Sequence, residues 1–381
     1  MNFKEFKESL KFRKYNYWKI IIRYIEYKIK NFLIDLVIYF NKFKKTSKEI
    51  VDLGSYSDNS YINFFLYSLK DDYIFAYKKD KNTKKLFRRI GFYNFFKHTI
   101  PNSNIKDRIS TKINMNSTFQ KENEVLIDTN YFSYFYNNYN FKDQKNLIMP
   151  YFMYPRIYNL FYKKINILKK PDLNFRIFFS GSIVNEGYKN FKWKKEPEKF
   201  PNRLQIIEKI INEFKNDIFF IRSKQDLNHV NSCNKRIVFC LHDKMIKKTS
   251  YILNFKDNFD LLSKSCFNLN CPGVVMPLCH HLIEGMKVGS IPITNCEKFL
   301  YPNLSIDNSL QYSNLNQIID KIYEALVMDE DTILKMRLNV QNYYKENLSP
   351  YIFKKKFRKI ISKKKSRIIC CDDHRSLNGM I

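Results

Sequence analysis

The side chains best suited to chemistry fall in one short run, Leu278-Cys-His-His-Leu-Ile-Glu-Gly-Met-Lys-Val288, which carries His280, His281 and Glu284. Leu278, Leu282, Ile283 and Met286 recur at helical spacing, and Gly289 is the kind of residue that ends a helix. His280 and Glu284 share a face of that helix. Free N–H groups and a partial positive charge at a helix start suit phosphate, and imidazoles there add donors. A carboxylate one turn further in can accept two hydrogen bonds from a ribose diol. Just upstream, Cys271-Pro272-Gly273 breaks the chain into a loop, and Gly273 lets backbone approach a ligand closely. These parts suit a nucleoside diphosphate lying across a strand–helix junction. The same spacing also fits an ordinary buried crossover with two surface histidines and a solvated Glu.

The elements that must hold these groups are readable on either side. Ser265 to Leu269 and Ser290 to Thr294 are short, mostly apolar runs that predict buried strands. Further upstream, Arg176-Ile-Phe-Phe-Ser-Gly181 predicts another buried strand running into Gly181. In open parallel sheets ligands bind beyond the carboxyl ends of the strands, so Gly181, Ser182 and the basic loop to Pro201 stand where a ligand would meet the sheet. Pro201-Asn202 starts the next helix, with Arg203 in its first turn and Leu204, Ile207, Ile210 and Ile211 turned inward.

Pro272-Gly273, then His281-Leu-Ile-Glu284-Gly, then Val288-Gly289-Ser-Ile-Pro-Ile293 together resemble the donor-site signature of GT-B glycosyltransferases, nearest the exostosin-like group. That group shows a Pro-Gly loop, a basic residue just before Leu-x-Glu, and a Gly-x-Ile-Pro-Val strand. The resemblance covers about residues 171–361. It implies an α/β GT-B fold, two Rossmann-like domains facing across a cleft, with the C-terminal one binding a nucleotide sugar. It also implies a donor-binding set of Gly181, Arg203, Gly273, His280, His281 and Glu284, with Arg203 as the Arg that meets the diphosphate after the first donor-domain strand. His281 stands where exostosin-like members usually carry Arg. GT-B enzymes generally stabilise the leaving diphosphate without a metal, and no Asp-x-Asp lies at a strand end here, so neither metal nor cofactor is expected. An inverting enzyme needs a base from the first domain. Asp58, His98 and Asp128 are candidates without a motif, and the catalytic residue is left unassigned.

The chain has 381 residues, enough for two domains with proper cores. Its 67 Lys and Arg against 37 Asp and Glu give a formal charge of +30, which favours anionic partners without choosing among them. The excess is concentrated at the ends: residues 1–50 hold 13 basic against 5 acidic residues, and residues 351–381 hold 10 against 2. The eight cysteines form no Cys-x-x-Cys pair, which fits reduced thiols and a cytoplasmic setting. Cys370-Cys371-Asp372-Asp373-His374 looks metal-like, but adjacent residues on a tail seldom converge on one ion. No run reaches the ~20 apolar residues of a membrane span.

Residues 1–50 read as a basic amphipathic helical segment, with Trp18, Ile21, Ile25, Ile29, Leu33 and Leu36 on one stripe. Packing on its own domain and peripheral docking to an anionic membrane face are both open to it. Residues 51–170 read as an acceptor-side Rossmann-like domain, 171–345 as the nucleotide-sugar-binding domain, and 346–381 as a terminal crossing helix with a basic, loose tail. The expectation is a glycosyltransferase acting on a glycan or glycolipid acceptor in cell-surface polysaccharide synthesis. The competing classes are a non-enzymatic basic protein that binds membrane or nucleic acid, and an inactive GT-B scaffold. No zinc finger, RNA-recognition aromatic motif or clear helix-turn-helix supports the nucleic-acid class.

Overall fold

The computed structural model describes residues 25, 28–29, 49–52, 60–77, 99–101, 111–114, 124–132, 146–154, 157–158, 162–165, 171–183, 201–242, 251–273, 276–361, 363 and 366–371. The chain divides into two compact units, one of residues 1–58 and 70–113, the other of residues 59–69 and 114–381. The first unit is built on four parallel strands, β1 (Glu49–Asp52), β2 (Tyr73–Tyr77), β3 (Thr99–Pro101) and β4 (Thr111–Asn114), in the order β3-β2-β1-β4. Ile50, Ile74 and Ala76 form a small apolar core there. The runs at Ile50 and Tyr73 are thus strands, as their short apolar pattern predicts. Of the N-terminal amphipathic stripe, Ile25 and Ile29 are helical and exposed. The rest of that segment, the run at residues 86–95, whose pattern predicts a helix, and the basic loop before Pro201 lie outside the described residues.

The second unit begins with α1 (Ser60–Leu69) and contains a group of three parallel strands and a parallel sheet of six. In the smaller group, β5 (Glu124–Asp128) and β6 (Asn146–Ile148) flank a strand from near the end of the chain, Arg367–Ile369, parallel to both. The larger sheet has six parallel strands. They are β7 (Ile177–Ser182), β8 (Ile218–Phe220), β9 (Ile237–His242), β10 (Phe267–Leu269), β11 (Ile291–Thr294) and β12 (Leu310–Gln311), in the order β12-β11-β10-β7-β9-β8. Its connecting helices are α2 (Arg203–Glu213), α3 (Lys224–His229), α4 (Phe255–Lys264), α5 (His280–Val288) and α6 (Leu315–Val327). Two further helices follow, α7 (Glu330–Tyr343) and α8 (Pro350–Ile361), and the chain-end strand is β13. This is the parallel α/β architecture expected from apolar strands alternating with amphipathic helices.

Local sequence sets the helix starts. Asn202, Ser223, Asn254, Asn314 and Asp329 each accept a main-chain N–H with their side chains at the starts of α2, α3, α4, α6 and α7. Asn254 explains why α4 begins at Phe255 rather than at Tyr251, where the apolar pattern starts. Helix ends are closed from across the fold. Arg337 of α7, fully buried, donates from Nη2 to Ser263 O at 2.9 Å and from Nη1 to Ser265 O, which satisfies carbonyls at the end of α4. Arg176 and Arg236 donate to Met328 O and Leu326 O at the end of α6.

α8 is amphipathic: Phe353, Phe357 and Ile360 are buried while Lys355, Arg358 and Lys359 are exposed. Its buried face meets α1, with Phe64 and Phe353 ring centroids 5.3 Å apart and Phe65 and Phe357 edge-on at 5.5 Å. Burying each such ring contributes roughly 1.5–3 kcal/mol. The chain then enters β13, where the sequence predicts a loose tail. The run Arg367-Ile-Ile369 is too short to show a period. Its strand state comes from partners on both sides: Leu126 N–H donates to Ser366 O (2.9 Å), Met149 N–H to Ile369 O (2.8 Å), and Cys370 N–H to Asp128 O (2.8 Å). Cys370 and Cys371 are buried, and no group of residues able to hold a metal ion occurs among the described residues.

Candidate functional site

The site residues named from the sequence gather at the carboxyl-end edge of the six-stranded sheet, around the start of α5. Gly285 sets α5 close on β10. A Cβ there would lie 2.2 Å from Asn268 Nδ2, and that amide donates to His281 O at 3.0 Å. Gly289 closes the helix in a left-handed conformation, φ 80°, and turns the chain into β11. The start of α5 is the informative end. Its N-cap is Cys279, which makes no side-chain bond to the helix amides. Instead the Cys279 thiol donates to Asn270 Oδ1 (2.7 Å), and Asn270 Nδ2 donates to Thr294 Oγ1 (3.0 Å). The Asn, Ser or Asp caps that serve α2, α3, α4, α6 and α7 have no counterpart here.

Glu284 sits one turn inside that uncapped end and is 6% exposed. Its Oε1 accepts from Tyr154 N–H at 3.2 Å and its Oε2 from Asn258 Nδ2 at 3.4 Å. Burial pushes the carboxyl up to about 7, with the two hydrogen bonds opposing that shift. The sequence reading has this carboxylate open to a diol, whereas the structure covers it with one main-chain and one side-chain donor. A carboxylate has about four acceptor sites, so two remain.

His280 is half-buried and hydrogen-bonds through Nδ1 to Phe152 O at 2.8 Å. Its ring stacks on Tyr151 with centroids 5.6 Å apart. His281, expected as an imidazole donor at the phosphate, instead packs between Phe178 (5.7 Å) and Phe179 (5.9 Å). Burial, and then the Arg203 charge, hold it down to about 3, so it is a neutral ring. Its Nε2 is buried without a protein partner, as is Ser182 Oγ at the end of β7. Arg203, half-buried, donates to Ser182 O (3.0 Å) and Cys271 O (3.3 Å), linking the ends of β7 and β10, with its guanidinium 5.7 Å from the Phe179 ring. Gly181 lets it pass: a Cβ there would meet Phe179 Cζ at 2.8 Å and Arg203 Nη1 at 3.3 Å. Gly273 donates its N–H to Met276 O at 2.8 Å in the loop before α5. Asp58 and His98 lie outside the described residues. Asp128 ends β5, where it accepts from Asn130 N–H (2.9 Å) with Arg367 Nη1 at 3.7 Å.

Three contributors escaped the sequence reading. The segment Met149–Tyr154 crosses the start of α5 as an extended strap: Tyr151 OH donates to Leu278 O (3.2 Å), Phe152 O meets His280, and Tyr154 N–H meets Glu284. Asn258, on α4, gives no signal in sequence, because a lone Asn on a helix reads as surface. Lys287 is 5% exposed, with Nζ 4.1 Å from the Tyr162 ring centroid and 5.6 Å from that of Tyr344. Burial lowers its ammonium to about 8.

No family model matches this chain, and no curated protein matches it. Among solved structures it is similar to Anabaena Alr3699/HepE in complex with UDP, with a TM-score of 0.40 and 8% identity, covering 82% of this chain and 99% of that one. It is also similar to a protein described as a UDP-N-acetylglucosamine 2-epimerase from Listeria monocytogenes, with a TM-score of 0.35, 10% identity, and coverage of 85% and 100%. A third is the N-terminal domain of the Candida albicans trehalose-6-phosphate phosphatase, with a TM-score of 0.35, 9% identity, and coverage of 86% and 72%. At these scores the likeness carries no argument about activity, which has to come from this chain's own residues. Among the described residues no helix is long and apolar enough to cross a membrane.

Proposed function

We propose that this chain is a GT-B glycosyltransferase that moves a sugar from a nucleotide-sugar donor to a glycan or glycolipid acceptor, in cell-surface polysaccharide synthesis. The observation that carries the reading is Glu284: a buried carboxylate, held at about 7, one turn inside a helix start that, among the described helices of the large sheet, is the one whose N-cap side chain is turned away. A buried carboxyl with no cationic partner in its hydrogen bonds costs stability, and a ribose diol would use its two open acceptor sites. The Asn258 contact at 3.4 Å is the longer of its two bonds, and moving that side chain aside exposes Oε2.

In this reading the amides at the start of α5 face the diphosphate. Arg203 adds charge from the end of β7, and the neutral His281 ring offers one N–H rather than a cation. Sugar transfer breaks the bond from the anomeric carbon to the phosphate oxygen and forms one to the acceptor hydroxyl oxygen. The leaving diphosphate takes the electron pair, and the helix amides and Arg203 stabilise it where a divalent cation serves in other enzymes. The proton of the acceptor hydroxyl goes to a base this reading does not name. The basic amphipathic segment at the start of the chain is assigned to peripheral contact with an anionic membrane.

The test is calorimetric titration with UDP, GDP and their sugars, followed by product analysis with a sugar-nucleotide panel. Binding of a nucleoside diphosphate that Glu284→Ala removes is expected. A wild-type protein that binds none of them overturns the reading. So does binding of bulk nucleic acid that is steep in salt and indifferent to Glu284→Ala.

A further inference from the structure

We infer that Tyr154, backed by Phe255, is the surface on which the donor's nucleobase stacks, an assignment that rests on the nucleotide-sugar reading of Glu284. Tyr154 is 40% exposed, whereas Tyr151 and Phe152 in the same strap are buried. The ring is nevertheless fixed in place. Phe255, the first residue of α4, stacks on it at 5.6 Å with planes 28° apart, and His280 stands edge-on at 5.8 Å and 79°. What sets this ring apart is that two neighbours hold it in place while part of it remains in water, which makes it a platform for a flat ligand.

Its place relative to Glu284 decides which flat ligand. The Tyr154 N–H donates to Glu284 Oε1 at 3.2 Å, so the ring begins one Cα away from the carboxylate assigned to the ribose. In a nucleoside the two diol oxygens and the base hang on the same five-membered ring. A diol on Glu284 therefore brings the base within a side chain's reach of that carboxylate, which is where Tyr154 stands.

The platform also defines how the base is read. Phe255 has no polar side-chain atom, and the Tyr154 hydroxyl sits at the ring's rim. Stacking tolerates every base, because every base has a π face. The site accordingly takes purine and pyrimidine nucleoside diphosphates with affinities within about tenfold of each other.

The test is titration of the full chain and of Tyr154→Leu and Tyr154→Trp with UDP, GDP and inorganic pyrophosphate. Leu keeps the main-chain N–H on Glu284 and replaces an exposed ring, so the fold is retained. Stacking on one aromatic side chain is worth roughly tenfold or more in affinity. UDP and GDP should weaken by about that factor in Tyr154→Leu and recover in Tyr154→Trp, while pyrophosphate binds all three proteins alike. Undiminished UDP and GDP binding by Tyr154→Leu overturns the inference, and so does an equal loss for pyrophosphate, which would mark Tyr154 as structural. If the wild-type protein binds neither nucleotide, it is the donor-site reading that fails, and this one with it.

Discussion

Replacing Glu284 by Gln separates what the site costs the fold from what it gives the ligand. The carboxyl moves from its ordinary 4.5 to about 7 on folding because burial disfavours its charged form. Each tenfold in that proton equilibrium is worth about 1.4 kcal/mol, so the full cost is about 3 kcal/mol. The folded protein binds the extra proton between those two values. The contribution of Glu284 to stability is therefore greatest below pH 4.5, falls as pH rises through about 7, and is level above. Gln keeps an oxygen for Tyr154 N–H and carries no charge, and Asn258 can turn its amide to present Oδ1 to the new NH₂. Urea unfolding of both proteins at steps from pH 4 to pH 8 is the assay. The variant should match the wild type at pH 4 and exceed it by up to about 3 kcal/mol at pH 8. In parallel, its affinity for UDP and GDP should fall at least tenfold, and wild-type affinity should rise with pH up to about 7, since a diol donates best to the ionised carboxylate. Parallel pH–stability curves for the two proteins would refute the burial argument, and unchanged nucleotide affinity would refute the role in binding.

Three other substitutions probe the supports of the site. Gly285→Ala puts a methyl group 2.2 Å from Asn268 Nδ2 and must lift α5 from β10; a loss of about 1–3 kcal/mol in unfolding free energy is expected. Arg337→Met leaves Ser263 O and Ser265 O without their donors in a fully buried position. It should cost about 3 kcal/mol, read by the same unfolding measurement. Arg203→Lys can reach only one of the two carbonyls that the guanidinium bridges. It should weaken nucleoside diphosphate binding about tenfold with a native circular dichroism spectrum, and undiminished affinity would remove Arg203 from the diphosphate site.

Legibility in the sequence followed the range of the interactions concerned. The strands at Ile177, Ile237, Phe267 and Ile291 announce themselves because both faces are buried and the runs are continuously apolar. The ends of α5 were readable from Gly289 and the break at Pro272. The chemistry of His281 was not. Its charge state depends on Phe178 and Phe179 from β7, about a hundred residues away in sequence and invisible to local spacing. Tyr154 reaches Glu284 from 130 residues away and Asn258 from 26, so a Glu that looks solvated by its neighbours in sequence is covered by its neighbours in space. The same holds for Lys287, which falls on the polar side of a helical wheel and ends up over Tyr162 and Tyr344.

The insertion of β13 between β5 and β6 orders events in time. During synthesis β5 and β6 emerge long before the segment that joins them, and each presents an unpaired edge until Arg367–Ile369 arrives. That half of the second unit is completed only after the last helix has been made, so a chain halted at α8 carries two open strand edges. Truncation that removes residues 367–381 should therefore show itself as aggregation before it shows itself as lost nucleotide binding.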